Sequence, residues 1–361
     1  MTEDEPRKED QQPPVKQVTL LPEAPAQGPF LPVYQSEATN HMISMNTRYS
    51  KPLTRVVGKD EEGKDKSEAF VKHGGTTVSV DEKYQDMLAK LLGPGTLKLF
   101  LYCCGGLAKI NAYRGDEGIK PTVSFPIVEY MKKCKIPITS ANKDETRKKV
   151  RERLDLLFGI SMEYDGKRKV EKSRICANYK MDPGTGEIEF IFNPKMAEHL
   201  TSSYVLFLPD KTFSLDERNV NLVSLTYKLA LHAGLDNNRK NGTADIISVE
   251  ALLDVCPGTP DIAQVRGSDR AFGRRIRDRL ERDLDALVEA GILEKWEYCG
   301  PKNAILTDEQ LNATDYKTFS SLLITFKLKD EPERTNAQEG GAAKPKRSGR
   351  PKTSKGKRRE A

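Results

Sequence analysis

The feature that most constrains this chain is an order of elements that occurs twice. In the first half an amphipathic stretch (Tyr84, Met87, Leu88, Leu91) is broken by Gly93-Pro94-Gly95. An apolar helix (Leu97 to Ile110), a short β-like segment (Thr122 to Phe125), a helix from about Pro126 to Lys133 and a charged helix from about Asn142 to Phe158 follow. After Gly159 the pattern turns to strands: Ile160 to Tyr164, Arg174 to Tyr179 and Ile188 to Phe192, with Asp165-Gly166 and Pro183-Gly184 as turn signals. The second half repeats this order: an apolar helix (about Leu222 to Ala233), a strand (Asp245 to Val249), a short helix to Val255 capped by Ser248, and a long charged helix from about Asp269 to Ala290. Strands Ile292 to Tyr298 and Ser321 to Leu328 close it.

The copies can be laid over each other. Arg153-Leu154-Asp155-Leu156-Leu157, then Gly159-Ile160, ending at Tyr164-Asp165-Gly166, parallels Asp283-Leu284-Asp285-Ala286-Leu287, then Gly291-Ile292, ending at Tyr298-Cys299-Gly300. The matching order of all the elements makes duplication the better reading. Three helices followed by a β-hairpin make a winged helix, whose third helix can lie in the major groove. The expected fold is therefore α+β and helix-rich, with tandem winged-helix domains over residues 76–205 and 206–330. Residues 1–75, rich in Pro, Glu, Asp, Lys and Gln, read as a mostly disordered arm in which Phe30, Leu31, Val33 and Tyr34 stand out as a docking element. Residues 331–361 read as a disordered basic tail.

A groove-reading helix must bury one face and present donors on the other. At about 100° per residue, Val150, Leu154, Leu157 and Phe158 share the inner face of the first charged helix, and Lys148 points away with Lys149 and Arg151 flanking. Ser140, Asn142 and Thr146 stand at its N-terminal end, where base edges are usually met. In the second copy Phe272, Ile276, Leu280, Leu284 and Leu287 form the inner stripe. Arg274 projects opposite, with Arg275 and Arg282 on one side and Arg270 and Arg277 on the other, behind the cap Ser268. Residues 262–282 hold seven arginines against three acids, and the planar guanidinium suits both guanine edges and phosphate. The bland alternative, a solvated helix whose arginines pair with Asp269, Asp278, Glu281 and Asp285, weighs more on the first helix, where Asp144, Glu145 and Glu152 dilute the positive face.

Charge is segregated along the chain. The net charge of +6 resides wholly in residues 331–361, and the rest balances to zero. Nine basic residues and no acid lie between Lys344 and Arg359, which points to a polyanion partner. Within them Pro345-Lys346-Arg347-Ser348-Gly349-Arg350-Pro351-Lys352 resembles an AT-hook. Gly349 lets the backbone sit deep, Pro351 holds it extended, and Arg350 reaches into a narrow A·T minor groove with Arg347 and Lys352 beside it. Ser348 stands where another Arg or Pro is usual. A generic polybasic tail would still bind phosphates by releasing counterions.

Other classes find little support. No stretch approaches the roughly 18 apolar residues of a membrane span, and the first residues lack the basic start and apolar run of a signal peptide. A soluble, cytoplasmic, nucleoid- or plasmid-associated bacterial protein is expected. The six cysteines form no C-x-x-C pair and the four histidines are scattered, so neither metal nor cofactor is expected. There is no G-x-x-x-x-G-K-[ST] loop for a nucleotide; Gly105-Gly106 reads as a packing feature, and nothing near Tyr113 or Tyr227 activates a nucleophile. The chain is not expected to be an enzyme.

On the two helix–Gly–strand repeats and the junction from Ile188-Glu189-Phe190-Ile191-Phe192 through Tyr204 to Phe207 and Asn221 to Ala233, the chain resembles plasmid replication initiators of the double winged-helix kind over about residues 80–328. That resemblance implies double-stranded DNA as partner, through direct repeats at an origin and an A·T-rich tract. It further implies recruitment of host helicase or initiator proteins, and a homodimer form alongside the monomer. The long N-terminal arm and the hook-like tail depart from the family. The rival reading is a winged-helix transcription regulator, and a chromatin-like architectural role stands third.

Overall fold

The computed structural model describes residues 30–35, 39, 53–59, 61, 63, 65–73, 76–81, 93–112, 118–137, 139, 141–166, 169–260, 272–300, 304–312 and 314–329. The chain opens with strands β1 (Phe30–Gln35), β2 (Leu53–Lys59), β3 (Asp65–His73) and β4 (Thr76–Asp81). The first three lie in the stretch read as an unstructured arm, so order begins well before residue 76. Local pattern could not reveal β1, because its partner lies about 170 residues away and a lone strand has no stability of its own.

Helix α1 (Pro94–Asn111) begins with Pro at its first turn, where the missing N–H costs nothing. It is buried nearly all round, as its apolar run demands, with Leu99, Phe100, Leu101, Cys103, Cys104 and Leu107 fully enclosed. The glycine pair at its centre explains how so much packs on one helix. A Cβ on Gly105 would sit 2.4 Å from Leu31 of β1, and one on Gly106 would sit 2.4 Å from Val123. Two strands thus approach the helix backbone where no side chain fits.

Strand β5 (Thr122–Pro126), helix α2 (Ile127–Lys133) and helix α3 (Lys143–Gly159) follow α1. Then come β6 (Ile160–Gly166), β7 (Lys169–Arg174), β8 (Cys176–Met181) and β9 (Glu187–Phe192). Strands β5, β8 and β9 form a three-stranded sheet in the order β5-β9-β8, with Phe190 opposite both Val123 and Tyr179. This is a winged helix in which β8 and β9 make the wing. The hairpin β6–β7 belongs elsewhere, completing a five-stranded antiparallel sheet in the order β2-β3-β4-β6-β7 through pairings such as Val80↔Ile160.

After helix α4 (Pro194–Thr201), strand β10 (Tyr204–Pro209) pairs antiparallel with β1, Val33 opposite Leu206. A 3-10 turn at Asp210–Ser214 then leads toward the second unit. That unit comprises α5 (Leu222–Gly234), α6 (Asp236–Lys240), β11 (Ile246–Ser248), α7 (Val249–Leu253), a π-helical turn at Gly273–Arg277 running into α8 (Asp278–Glu289), and β12 (Leu293–Cys299). Short helices α9 (Asp308–Asn312) and α10 (Tyr316–Ser321) precede β13 (Leu323–Leu328). The sheet order is β11-β13-β12, with Ile324 opposite both Ile247 and Tyr298.

The two units therefore have the same topology: the strand before the second helix pairs with the last strand, which pairs with the strand between. One hydrophobic core runs through both, and the expected inner stripes lie within it. The strand equivalent to Ile292–Tyr298 is not Ile160–Tyr164, as the sequence repeat suggests. The partner of β12 in the first unit is β8; β6 leaves for the other sheet. A glycine stop followed by an aromatic-bearing strand is a local pattern, whereas sheet membership is chosen by distant partners.

Candidate nucleic-acid interface

Helix α3 is turned as its periodicity demands. Val150, Leu154 and Leu157 are buried, Phe158 is half-buried against Tyr179, and Lys148, Lys149 and Arg151 are exposed. Lys149 pairs with Glu145 at 2.7 Å, and that bond holds the Glu145 carboxyl below the usual range. Asn142 spends its side chain on the preceding turn, donating to the Pro137 carbonyl (2.9 Å) and accepting from the Thr139 N–H (2.8 Å). Thr146 is buried, its hydroxyl donating to the Asn142 carbonyl at 2.9 Å. Ser140 lies outside the described residues.

Each wing is tied to its helix by an aspartate at the matching position. On α3, Asp155 accepts from the Tyr179 hydroxyl of β8; burial first, and then this bond, push that hydroxyl up to about 12. On α8, Asp285 accepts from the Trp296 indole of β12 at 2.9 Å. Arg147, which the sequence reading passed over, donates to the Pro183 carbonyl at 3.1 Å and so holds the turn of the first wing against α3. Asp182 organises that turn, its Oδ1 accepting from the backbone N–H of Gly184 (2.8 Å) and of Thr185 (2.5 Å) and from the Thr185 hydroxyl (2.9 Å).

In the second unit the arginines separate by partner. Arg274 and Arg275 are exposed on the π turn. Arg277 is turned inward: its Nε lies 3.6 Å from both Asp278 and Glu281, and Nη1 donates to the Leu311 carbonyl at 3.3 Å. Arg274, Arg275, Arg279 and Arg282, with Pro260, line one open concavity with no carboxylate among its described lining residues, and Arg279 and Arg282 also border a second concavity with Asn219 and Asp283. Arg279 joins the arginines that the sequence pattern singles out. The spacing of Arg275, Arg279 and Arg282, four and then three residues, would have placed it on that face. Four guanidinium groups around a concave surface have the chemistry to meet phosphate oxygens or guanine edges. Ser268, Arg270, and the tail residues Arg347, Gly349, Arg350, Pro351 and Lys352 lie outside the described residues.

Among the described residues no group of three His, Cys, Asp or Glu could hold a metal, and no helix is long and apolar enough to cross a membrane. All six cysteines are buried, and burial pushes thiols such as Cys134 (to about 11) and Cys176 (to about 12) away from the reactive thiolate.

Residues 65–208 match the family model described as "Initiator Replication protein, WH1". Among solved structures, a crystal structure of the Pi initiator protein in complex with iteron DNA is 12% identical and covers 72% of this chain and 100% of its own, at a TM-score of 0.37. A structure of domains 2 and 3 of RctB is 11% identical, covering 79% of this chain and 98% of its own, at 0.36. No curated protein matches the chain. The sheet order of the two units makes the chain a double winged-helix protein, and its residues 65–208 match the model of the initiator replication protein WH1 domain.

Proposed function

We propose that this protein initiates replication of a plasmid or mobile element by binding repeated double-stranded sites, one winged-helix unit per half-site, with the basic tail gripping A·T-rich DNA nearby. The observation that carries the reading is the pairing of a first unit that matches an initiator-type model with a second unit of identical sheet order, which bears the cluster Arg274, Arg275, Arg279 and Arg282. A winged helix uses such a cluster to meet phosphates and base edges in the major groove. The set proposed for DNA contact is Lys148, Lys149 and Arg151 on α3 and these four arginines on the second helix. Asn142, Thr146 and Arg277 are assigned to folding because Asn142 closes the preceding turn, Thr146 is buried and Arg277 is turned inward, whereas Lys149 and Arg282, though bonded to Glu145 and to the Asp278 carbonyl, remain exposed. Opening of the duplex and delivery of host helicase would follow binding, and a dimeric form would occupy a different arrangement of sites.

Binding-site selection followed by footprinting on DNA flanking the gene tests this. Protection of direct repeats beside an A·T-rich tract is the expected result. Protection of a single promoter palindrome would replace initiation with transcriptional regulation, and binding without sequence preference would overturn both.

A further inference from the structure

The segment Leu215–Asn221, between the 3-10 turn and α5, grips both groove-reading helices. On one side Glu217 receives a two-pronged ion pair from Arg153 of α3, Nη2 to Oε2 at 2.5 Å and Nη1 to Oε1 at 3.3 Å. Lys98, buried in α1, donates to the Leu215 carbonyl at 2.5 Å and lies 3.7 Å from Glu217. On the other side Asn219 and Asn221 each donate at 2.6 Å to one oxygen of Asp283 on α8. Asn221 also donates to Thr259 (3.2 Å) and accepts from the Gly258 N–H (2.8 Å).

The anchor positions correspond. Arg153 immediately precedes Asp155's neighbour Leu154, and Asp283 precedes Leu284 and Asp285 in the same way. Asp155 and Asp285 each accept from the strand that follows in the winged-helix order, β8 and β12. One short segment therefore holds the same point on both helices, by opposite chemistry: a cation in the first unit, an anion in the second. Asp283 is only 3% exposed and Asn221 not at all, so these bonds exchange poorly with water and are strongly directional. The Arg153–Glu217 fork adds a second fixed geometry.

We infer that Leu215–Asn221 is a clasp that sets the orientation of α3 relative to α8, making Arg153, Glu217, Asn219, Asn221 and Asp283 positioning residues for the spacing of the two half-sites. This rests on the proposed reading that both helices enter DNA together. Two units joined rigidly gain affinity only where geometry lets both engage, and one inserted base pair turns the second half-site by about 35°.

The test compares the full chain with the double variant Glu217→Gln, Asp283→Asn, both near-isosteric. In one arm, affinity is measured for the footprinted site and for the same site with one base pair inserted between half-sites. The native protein is expected to lose about tenfold or more on insertion, and the variant about threefold or less, each measured against its own affinity for the uninterrupted site. In a second arm, without DNA, spin labels at Asp144→Cys and Glu289→Cys report the distance between the helices; the described native thiols are buried and leave the label selective. A narrow distribution in the native background should broaden in the variant. Should the double variant melt early, Arg153→Lys replaces it, keeping the charge and losing the fork. Equal spacing penalties with equally narrow distances would overturn the clasp. Failure of the native protein to bind any specific site would overturn the functional reading instead, and the label distances would still decide the clasp.

Discussion

The indole N–H of Trp296 donates to the Asp285 carboxylate at 2.9 Å, fastening the second wing to the helix that precedes it. Trp296 is the only tryptophan in the chain. Its emission therefore reports on this one junction, and adding cognate DNA is expected to shift or quench it in step with binding. Trp296→Phe should silence the signal and cost about 0.5–1.5 kcal/mol of stability for the lost hydrogen bond, read by denaturant titration.

Arg274→Ala with Arg275→Ala should weaken specific binding by roughly 1–3 kcal/mol per lost base-edge pair. Arg279→Ala should lower affinity for all sequences together and reduce the salt slope by about one phosphate contact. Fluorescence anisotropy over a salt series distinguishes the two. Unchanged affinity in both variants would remove the second helix from the interface.

Deleting residues 331–361 removes the entire net charge of +6. Binding should weaken and its dependence on log[salt] flatten, because fewer counterions are released, while the ranking of preferred sites stays the same. A changed consensus after deletion would mean that the tail reads sequence.

Gly186 closes the first wing turn at φ +74°, and a Cβ there would stand 2.9 Å from Cγ2 of Ile127. Gly186→Ala is expected to cost about 1–2 kcal/mol from the left-handed backbone alone, with the clash added. A lowered melting temperature checks it, and an unchanged one would show that the turn relaxes freely.

The bonds from Thr185, first its backbone N–H and then its hydroxyl, hold the Asp182 carboxyl below its ordinary value. A depressed carboxyl contributes order that is complete above the unfolded value of about 3.9 and is lost as pH falls through the lower folded value. The amide signals of Gly184 and Thr185 should therefore keep their native positions at pH 5 and move only in strong acid. Movement centred above pH 4 would contradict the lowering.

The inner faces of α3 and α8, the repeat of helices and strands, and the exposure of Lys148, Arg274 and Arg275 were all legible in the sequence. Each follows from periodicity and charge within one element, which the local chain determines by itself. Tertiary structure decided what required a distant partner. Strand β1 exists because β10 and the bare backbone at Gly105 receive it, and β6 joins β4 rather than the wing because Val80 and its neighbours offer a free edge. Thr146 and Arg277, polar residues on charged helices, were drawn inward by Asn142 and by Glu281 and the Leu311 carbonyl, contacts that helical spacing alone does not rank. The joining of both helices through Glu217, Asn219 and Asn221 was invisible for the same reason: a short polar linker carries no pattern, and only packing shows which side chains it holds.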